Sequence, residues 1–211
     1  MTLEVLTFVL GPIENNTYLI AETESGEAAV IDPSFGVGPV TQAIQARNWH
    51  LGAIWLTHAH FDHIAGTQEL INTFGPGLQV ALHPQDLDLW RHGGGAASFG
   101  ISFHAGSEPN TRLTHGQQLQ LGAETVEVRH TPGHTRGHVA LYAPSAGVMF
   151  SGDLIFRASV GRTDLPGGDF AALLESIRTQ VLTLPPETRL LSGHGPETTV
   201  AEEALHNPFL G

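Results

Sequence analysis

Three histidines and an aspartate fall within six positions of WLTHAHFDHIAG (residues 55–66), directly behind an apolar run. At the end of an extended strand, residues two apart project the same way, so His58 and His60 can aim at one point. Asp62 and His63, where the chain turns into a helix, can serve a second point nearby. The spacing alone leaves room for two metal ions. The competing reading is a polar helix-capping loop, in which Asp62 complements the dipole of a first helical turn without any metal.

Three further segments bear on that choice: HTPGHTRGH (130–138), FSGDLIF (150–156) and LSGHG (191–195). Each is a strand end that carries a possible ligand and runs into a turn with glycine or proline. Ligands delivered from several strand edges to one end of a layered fold make a prearranged site. The other histidines have plainer roles. His50, His83, His92, His104, His115 and His206 sit in turns or polar stretches and are expected at the surface, whereas His130 and His138 flank a candidate ligand and could support it or be structural.

Composition narrows the chemistry. The 211 residues include no cysteine and no lysine, which excludes thiolate ligands, thiol nucleophiles, Schiff-base catalysis and the P-loop lysine. The formal charge of −12 argues against a nucleic-acid partner. No apolar run approaches the roughly 20 residues that span a bilayer. The start, MTLEVLTFVLGPIENN, lacks the pattern of a secretory leader, so no membrane association and a cytoplasmic location are expected.

The elements that must hold these residues read as short strands and helices. LEVLTFVL, NTYLIAE and EAAVIDP form a meander, followed by a helix near Val37 to Arg47, the strand AIWL, and a helix over Ile64 to Phe74 closed by Gly75 and Pro76. LQVALHP reads as a strand, PQDLDLWRH as a short helix, and Gly93 to Asn110 as a long loop or lid. LQLGAETVEVRH, HVALYAP and GVMFSGD repeat the early strand pattern, before the helix DFAALLESIRTQVL and a last strand, TRLLSG. One α/β domain over residues 1–211 is predicted, a sandwich of sheets with helices outside.

THAHFDH, TPGHTRGH, SGDLIF and SGHG, in this order, resemble the motif series of the metallo-β-lactamase-fold hydrolases, and within it the short glyoxalase-II-like group. The resemblance implies a four-layer αβ/βα sandwich of two related halves. It implies a first metal held by His58, His60 and His134, a second held by Asp62, His63 and His194, and Asp153 bridging them, with Asp62 and Asp153 catalytic as well as ligating. Histidine and carboxylate ligands make zinc the default, with iron or manganese compatible. Arg162, in FRASVGRTD (156–164), stands where the glyoxalase II pattern has a basic residue against glutathione; Arg157 is a weaker candidate. The aromatic expected two positions further on is here Asp164, and the helical C-terminal domain of full-length glyoxalase II has no counterpart after His194.

Two metals about 3.5–4 Å apart share a water and hold the resulting hydroxide for attack on a carbonyl. Beyond the ligands no general acid is visible, which suits a thiolate, parent pKa roughly 8.5, better than an amide leaving group. The expected activity is thus hydrolysis of a small-molecule thioester such as S-D-lactoylglutathione. The rival readings are a mononuclear iron persulfide dioxygenase of the same fold, which GRTD also resembles, and a small-phosphoester hydrolase. A β-lactamase is less expected, since no secretory signal is visible and cysteine ligands are excluded, and a metal-binding module without turnover is the non-enzymatic alternative.

Overall fold

The computed structural model describes residues 3–211. Strands β1 (Leu3–Leu10), β2 (Asn15–Glu22) and β3 (Glu27–Ile31) form an antiparallel meander, and α1 (Gly38–Arg47) crosses to β4 (His50–Trp55), parallel to β3. Helices α2 (Phe61–Ile64) and α3 (Thr67–Phe74) lead to β5 (Gln79–Leu82); α4 (Leu87–Arg91) then precedes β6 (Thr111–Arg112), and both strands continue the parallel side of this six-stranded sheet. The second sheet begins with the antiparallel run β7 (Gln118–Leu121), β8 (Glu124–His130), β9 (Val139–Ala143) and β10 (Val148–Gly152). After a ribbon of β11 (Ile155–Phe156) and β12 (Ser159–Val160), α5 (Phe170–Ser176) crosses to β13 (Arg189–Ser192), parallel to β10. Strand β14 (Thr198–Thr199) and α6 (Val200–His206) finish the chain. Each half therefore has a meander, a helical crossover and a parallel strand.

Alternation along the strands creates the layers. In β2, Tyr18 and Ile20 enter the core between the sheets with Val128, Leu141 and Phe150, while Leu19 and Ala21 face the opposite core with Val40, Ile44 and Leu70 of the helices. Ala140, Met149 and Leu190 of the second sheet do the same under Leu173, Ile177 and Val200. Both faces of the central strands are covered, so they read as continuous apolar runs. Full burial of each large side chain contributes about 1.5–3 kcal/mol. The result is the α/β four-layer sandwich expected from the sequence.

Several elements differ in detail. The helix expected over Ile64 to Phe74 is interrupted at Ala65 and Gly66, where the Gly66 amide donates to the Pro33 carbonyl at 2.8 Å and a Cβ would come within 2.5 Å of the Ser34 carbonyl oxygen. LQLGAETVEVRH is a hairpin, β7 and β8, turning at Gly122 with φ of 56°. The Gly93 to Asn110 stretch is partly wound: residues 93–99 form tight 3-10 turns, and Arg91 grips Glu108 through two hydrogen bonds of 2.7 and 3.1 Å. No helix among the described residues is long and apolar enough to cross a membrane.

Candidate metal centre

All the predicted ligands lie just beyond strand ends on one edge of the sandwich. His58 and His60 follow β4, Asp62 and His63 lie in α2, His134 follows β8, Asp153 follows β10 and His194 follows β13. The ends of parallel strands are the usual place for a site in such sheets. His58 and His63 are wholly buried, and only His194 is substantially accessible, at 27 % of its side chain.

Two groups of possible metal ligands result, His58 with His60 and His134, and Asp62 with His63 and His194; within each, one ligand atom per residue lies within 4.8 Å of the others. In the first, His60 Nδ1 faces His134 Nε2 at 2.8 Å. In the second, Asp62 Oδ2 is 3.3 Å from His63 Nε2 and 3.2 Å from His194 Nε2. Asp153 stands between the groups: Oδ1 is 3.4 Å from His63 Nε2, and Oδ2 is 3.5 Å from His134 Nε2 and 3.8 Å from His194 Nε2.

Whether these residues fit cations is tested by their unused valences. His58 Nε2, His63 Nε2 and Asp153 Oδ1 are buried without a hydrogen-bond partner. Leaving such groups unpaired costs about 1–3 kcal/mol each. A cation at each position would satisfy them, and imidazole with carboxylate is a donor set that suits zinc, iron or manganese.

The opposite ring nitrogens fix the tautomers. His134 Nδ1 donates to the Arg162 carbonyl at 2.8 Å, and His194 Nδ1 donates to the Ile13 carbonyl at 3.1 Å. Asp32 serves one histidine of each group. Its Oδ2 accepts from His63 Nδ1 at 2.9 Å and from the Thr57 hydroxyl at 2.5 Å, and that hydroxyl accepts from His58 Nδ1 at 3.0 Å. In a neutral ring, a proton parked on Nδ1 leaves Nε2 with a lone pair for the site. Asp32, His58 and His63 also form a third compact group, but hydrogen bonds already occupy these facing atoms, so it supports ligands and does not bind a further ion. Asp32 is held at φ of 50°, a left-handed conformation that costs about 1–3 kcal/mol in a non-glycine residue.

The two groups differ in charge. Burial, reinforced by the neighbouring imidazoles, keeps His58 well below the usual histidine range and pushes His60 down to about 3. Both are neutral and ready to ligate. Burial also opposes charge on His63, but Asp62 and Asp153 outweigh it and hold the ring well above its ordinary value; His194 is raised in the same way, chiefly through Asp62. In turn, His63 and His194 overcome burial to keep Asp62 below the ordinary carboxylate range, and His63 and His134 do so for Asp153. Entry of a cation at the second group therefore expels protons.

Arg162, the substrate-contact candidate, lies beside the first group of ligands. Its carbonyl supports His134, and its guanidinium is gripped by Asp164 through two hydrogen bonds of 2.8 Å. Arg157 is exposed. His138 touches the site, its Nε2 accepting from the Asp153 amide at 3.2 Å; His130 instead stacks on His83, with ring centroids 4.2 Å apart. His50, His92, His104, His115 and His206 are exposed as expected, and His83 is half-buried. Sequence reasoning missed Asp32 and Asp86. The signals available were Asp-Pro at the end of an apolar strand and an aspartate two residues after His83-Pro84.

Comparison with known proteins agrees with this geometry. The profile of the metallo-beta-lactamase superfamily matches residues 10–194. The chain is similar to the probable metallo-hydrolase YqgX of Bacillus subtilis, 38% identical over 95% of this chain and 94% of that one. It is 33% identical to hydroxyacylglutathione hydrolase GloC of Haemophilus influenzae, over 93% of each chain. Among solved structures, the BLEG-1 B3 metallo-beta-lactamase superposes with a TM-score of 0.91 at 37% identity, covering 98% of this chain and 99% of that one. TTHA1623 in a di-iron-bound form superposes with a TM-score of 0.88 at 42% identity, covering 98% and 100%.

Proposed function

The chain belongs to the metallo-beta-lactamase superfamily, and from that premise we propose that it is a dinuclear metal-dependent hydrolase of thioesters, with S-D-lactoylglutathione as the model substrate. The observation that carries the dinuclear reading is the trio of buried, unpartnered ligand atoms, His58 Nε2, His63 Nε2 and Asp153 Oδ1, spread over both groups. His58, His60 and His134 would hold one ion and Asp62, His63 and His194 the other, with Asp153 shared. Metal ions bound there would supply a water of lowered pKa and a Lewis acid for the substrate carbonyl.

The chain's own part is placement. Asp32, with the Ile13 and Arg162 carbonyls, holds the Nδ1 side of four imidazoles, so their Nε2 atoms face the site before substrate arrives. Asp62 and Asp153 are deprotonated, and their burial strengthens every interaction they make. An amine leaving group needs a proton as it departs, whereas a thiolate leaves without one. The GloC relative supports the same choice. Arg162 is the proposed contact for the anionic end of a glutathione-linked substrate, which must share the guanidinium with Asp164.

A mononuclear iron dioxygenase of this fold would hold a single ion. The unpartnered His63 Nε2, with Asp62 and His194 beside it, favours a second ion. Hydrolysis of S-D-lactoylglutathione by protein of known metal content tests the reading, with His58→Ala and Asp153→Ala as controls. Loss of turnover in both variants is expected. Undiminished turnover in both would overturn the site.

A further inference from the structure

Asp86 is 1% exposed and lies in none of the motifs that carry the ligands. It ends the tight turn Pro84–Asp86 after β5 and reaches across to both ligand loops. Its Oδ2 accepts from the Ala59 amide at 3.1 Å and from the Thr135 hydroxyl at 2.7 Å, and its Oδ1 accepts from the Gly137 amide at 2.6 Å. Ala59 lies between the ligands His58 and His60, and Thr135 directly follows the ligand His134. Gly137 precedes His138, whose ring holds the Asp153 amide.

We propose that Asp86 is a positioning residue for the first metal position, a buried carboxylate that clamps the His58–His60 loop to the His134 loop so that their three imidazoles converge. The clamp joins stretches 27, 49 and 51 residues away in sequence. The three contacts require a carboxylate. An amide offers one acceptor oxygen, so asparagine can serve Gly137 or the Ala59 and Thr135 side, but not both. The fit is close enough to dictate a second residue: a Cβ on Gly137 would lie 2.6 Å from the Asp86 amide nitrogen and 2.7 Å from Oδ1. A buried carboxylate is tolerated only with hydrogen-bond donors around it, and here three donors serve its two oxygens. The same loops have no other side chain that bonds to both, apart from the facing ligands themselves, among the hydrogen bonds of the described residues.

The proposal rests on the two-position centre and is independent of the substrate. It is tested by withdrawing Zn(II) from purified protein with a chromophoric chelator, which resolves one step per position; His194→Ala, weakened at the second position, identifies the first step. Asp86→Asn is expected to weaken the first step by about 10- to 100-fold, the usual effect of removing a residue that orients ligands, and to leave the second step within a few-fold of wild type. Thr135→Val, which removes one bond and keeps shape, should weaken the same step by less. The visible spectrum of the Co(II)-loaded protein should change in both. If Asp86→Asn does not fold, Thr135→Val decides. Folded variants with wild-type first-step affinity and an unchanged cobalt spectrum would overturn the proposal, as would equal weakening of both steps. A wild-type protein that binds no metal would instead overturn the centre itself.

Discussion

Gly193 sits between the last residue of β13 and the ligand His194, and its missing side chain leaves space the centre needs. A Cβ there would lie 2.6 Å from His63 Cε1 and closer still to Asp153 Oδ1. Ordinary carbon contacts are about 3.5–4.0 Å, so an alanine methyl must push the ligands away by about 1 Å. The backbone has little freedom to yield: the Gly193 amide donates to the Gly152 carbonyl at 2.9 Å, and its carbonyl accepts from the Asn16 amide at 2.6 Å. Overpacking of this kind costs about 1–3 kcal/mol, or roughly 2–12 °C in Tm for a chain of this size. A displacement of about 1 Å at a catalytic group costs on the order of 100-fold in rate. Gly193→Ala is therefore expected to lower kcat about 100-fold with a smaller change in KM, and to weaken the second metal position. Gly38→Ala, at a helix start with no atom within 4 Å of its Cβ, is the control and should behave as wild type. Steady-state kinetics and metal analysis of both variants decide. Wild-type kcat and full metal content in Gly193→Ala would refute the account of how this carboxylate is held.

Asp164→Ala should free the Arg162 guanidinium and lower KM severalfold for anionic thioesters while leaving uncharged thioesters unaffected; a uniform change would remove Arg162 from the substrate site. Burial and the stacked His130 push His83 down to about 4. The unfolded ring titrates near 6.5, so the unfolded chain holds more protons between those values. The stability His83 contributes is complete above pH 6.5 and is lost as pH falls toward 4; a titration by NMR that places this ring at or above 6.5 would contradict it. Chelation should lower Tm, since ions that bind only the folded chain stabilise it, and Zn(II) should restore both Tm and turnover. A Tm indifferent to chelator would count against occupied sites.

The candidate ligands stand out in the sequence because their signal is local. His58, His60, Asp62 and His63 are adjacent, and His134, Asp153 and His194 each follow a short apolar strand and stand beside glycine. The layered fold was legible for a similar reason, since strands buried on both faces read as unbroken apolar runs. What escaped depends on distant partners. Asp32 looks like a strand-ending turn until Thr57 and His63, 25 and 31 residues on, meet its carboxylate. Asp86 looks like the start of a short helix until the Thr135 loop arrives. The pairing of Arg162 with Asp164, two residues on, could be read from their spacing alone. Helix α6 was readable and missed, for Thr199 and Glu202 bear the spacing of a capping box, and the Thr199 hydroxyl accepts from the Glu202 amide at 3.2 Å.

The account stands most directly on metal stoichiometry measured on the same sample as S-D-lactoylglutathione hydrolysis. It predicts two ions per chain, with turnover that rises as the second position fills and is lost in His58→Ala and Asp153→Ala. One iron per chain with oxygen consumption on glutathione persulfide, and no thioester hydrolysis, would contradict it.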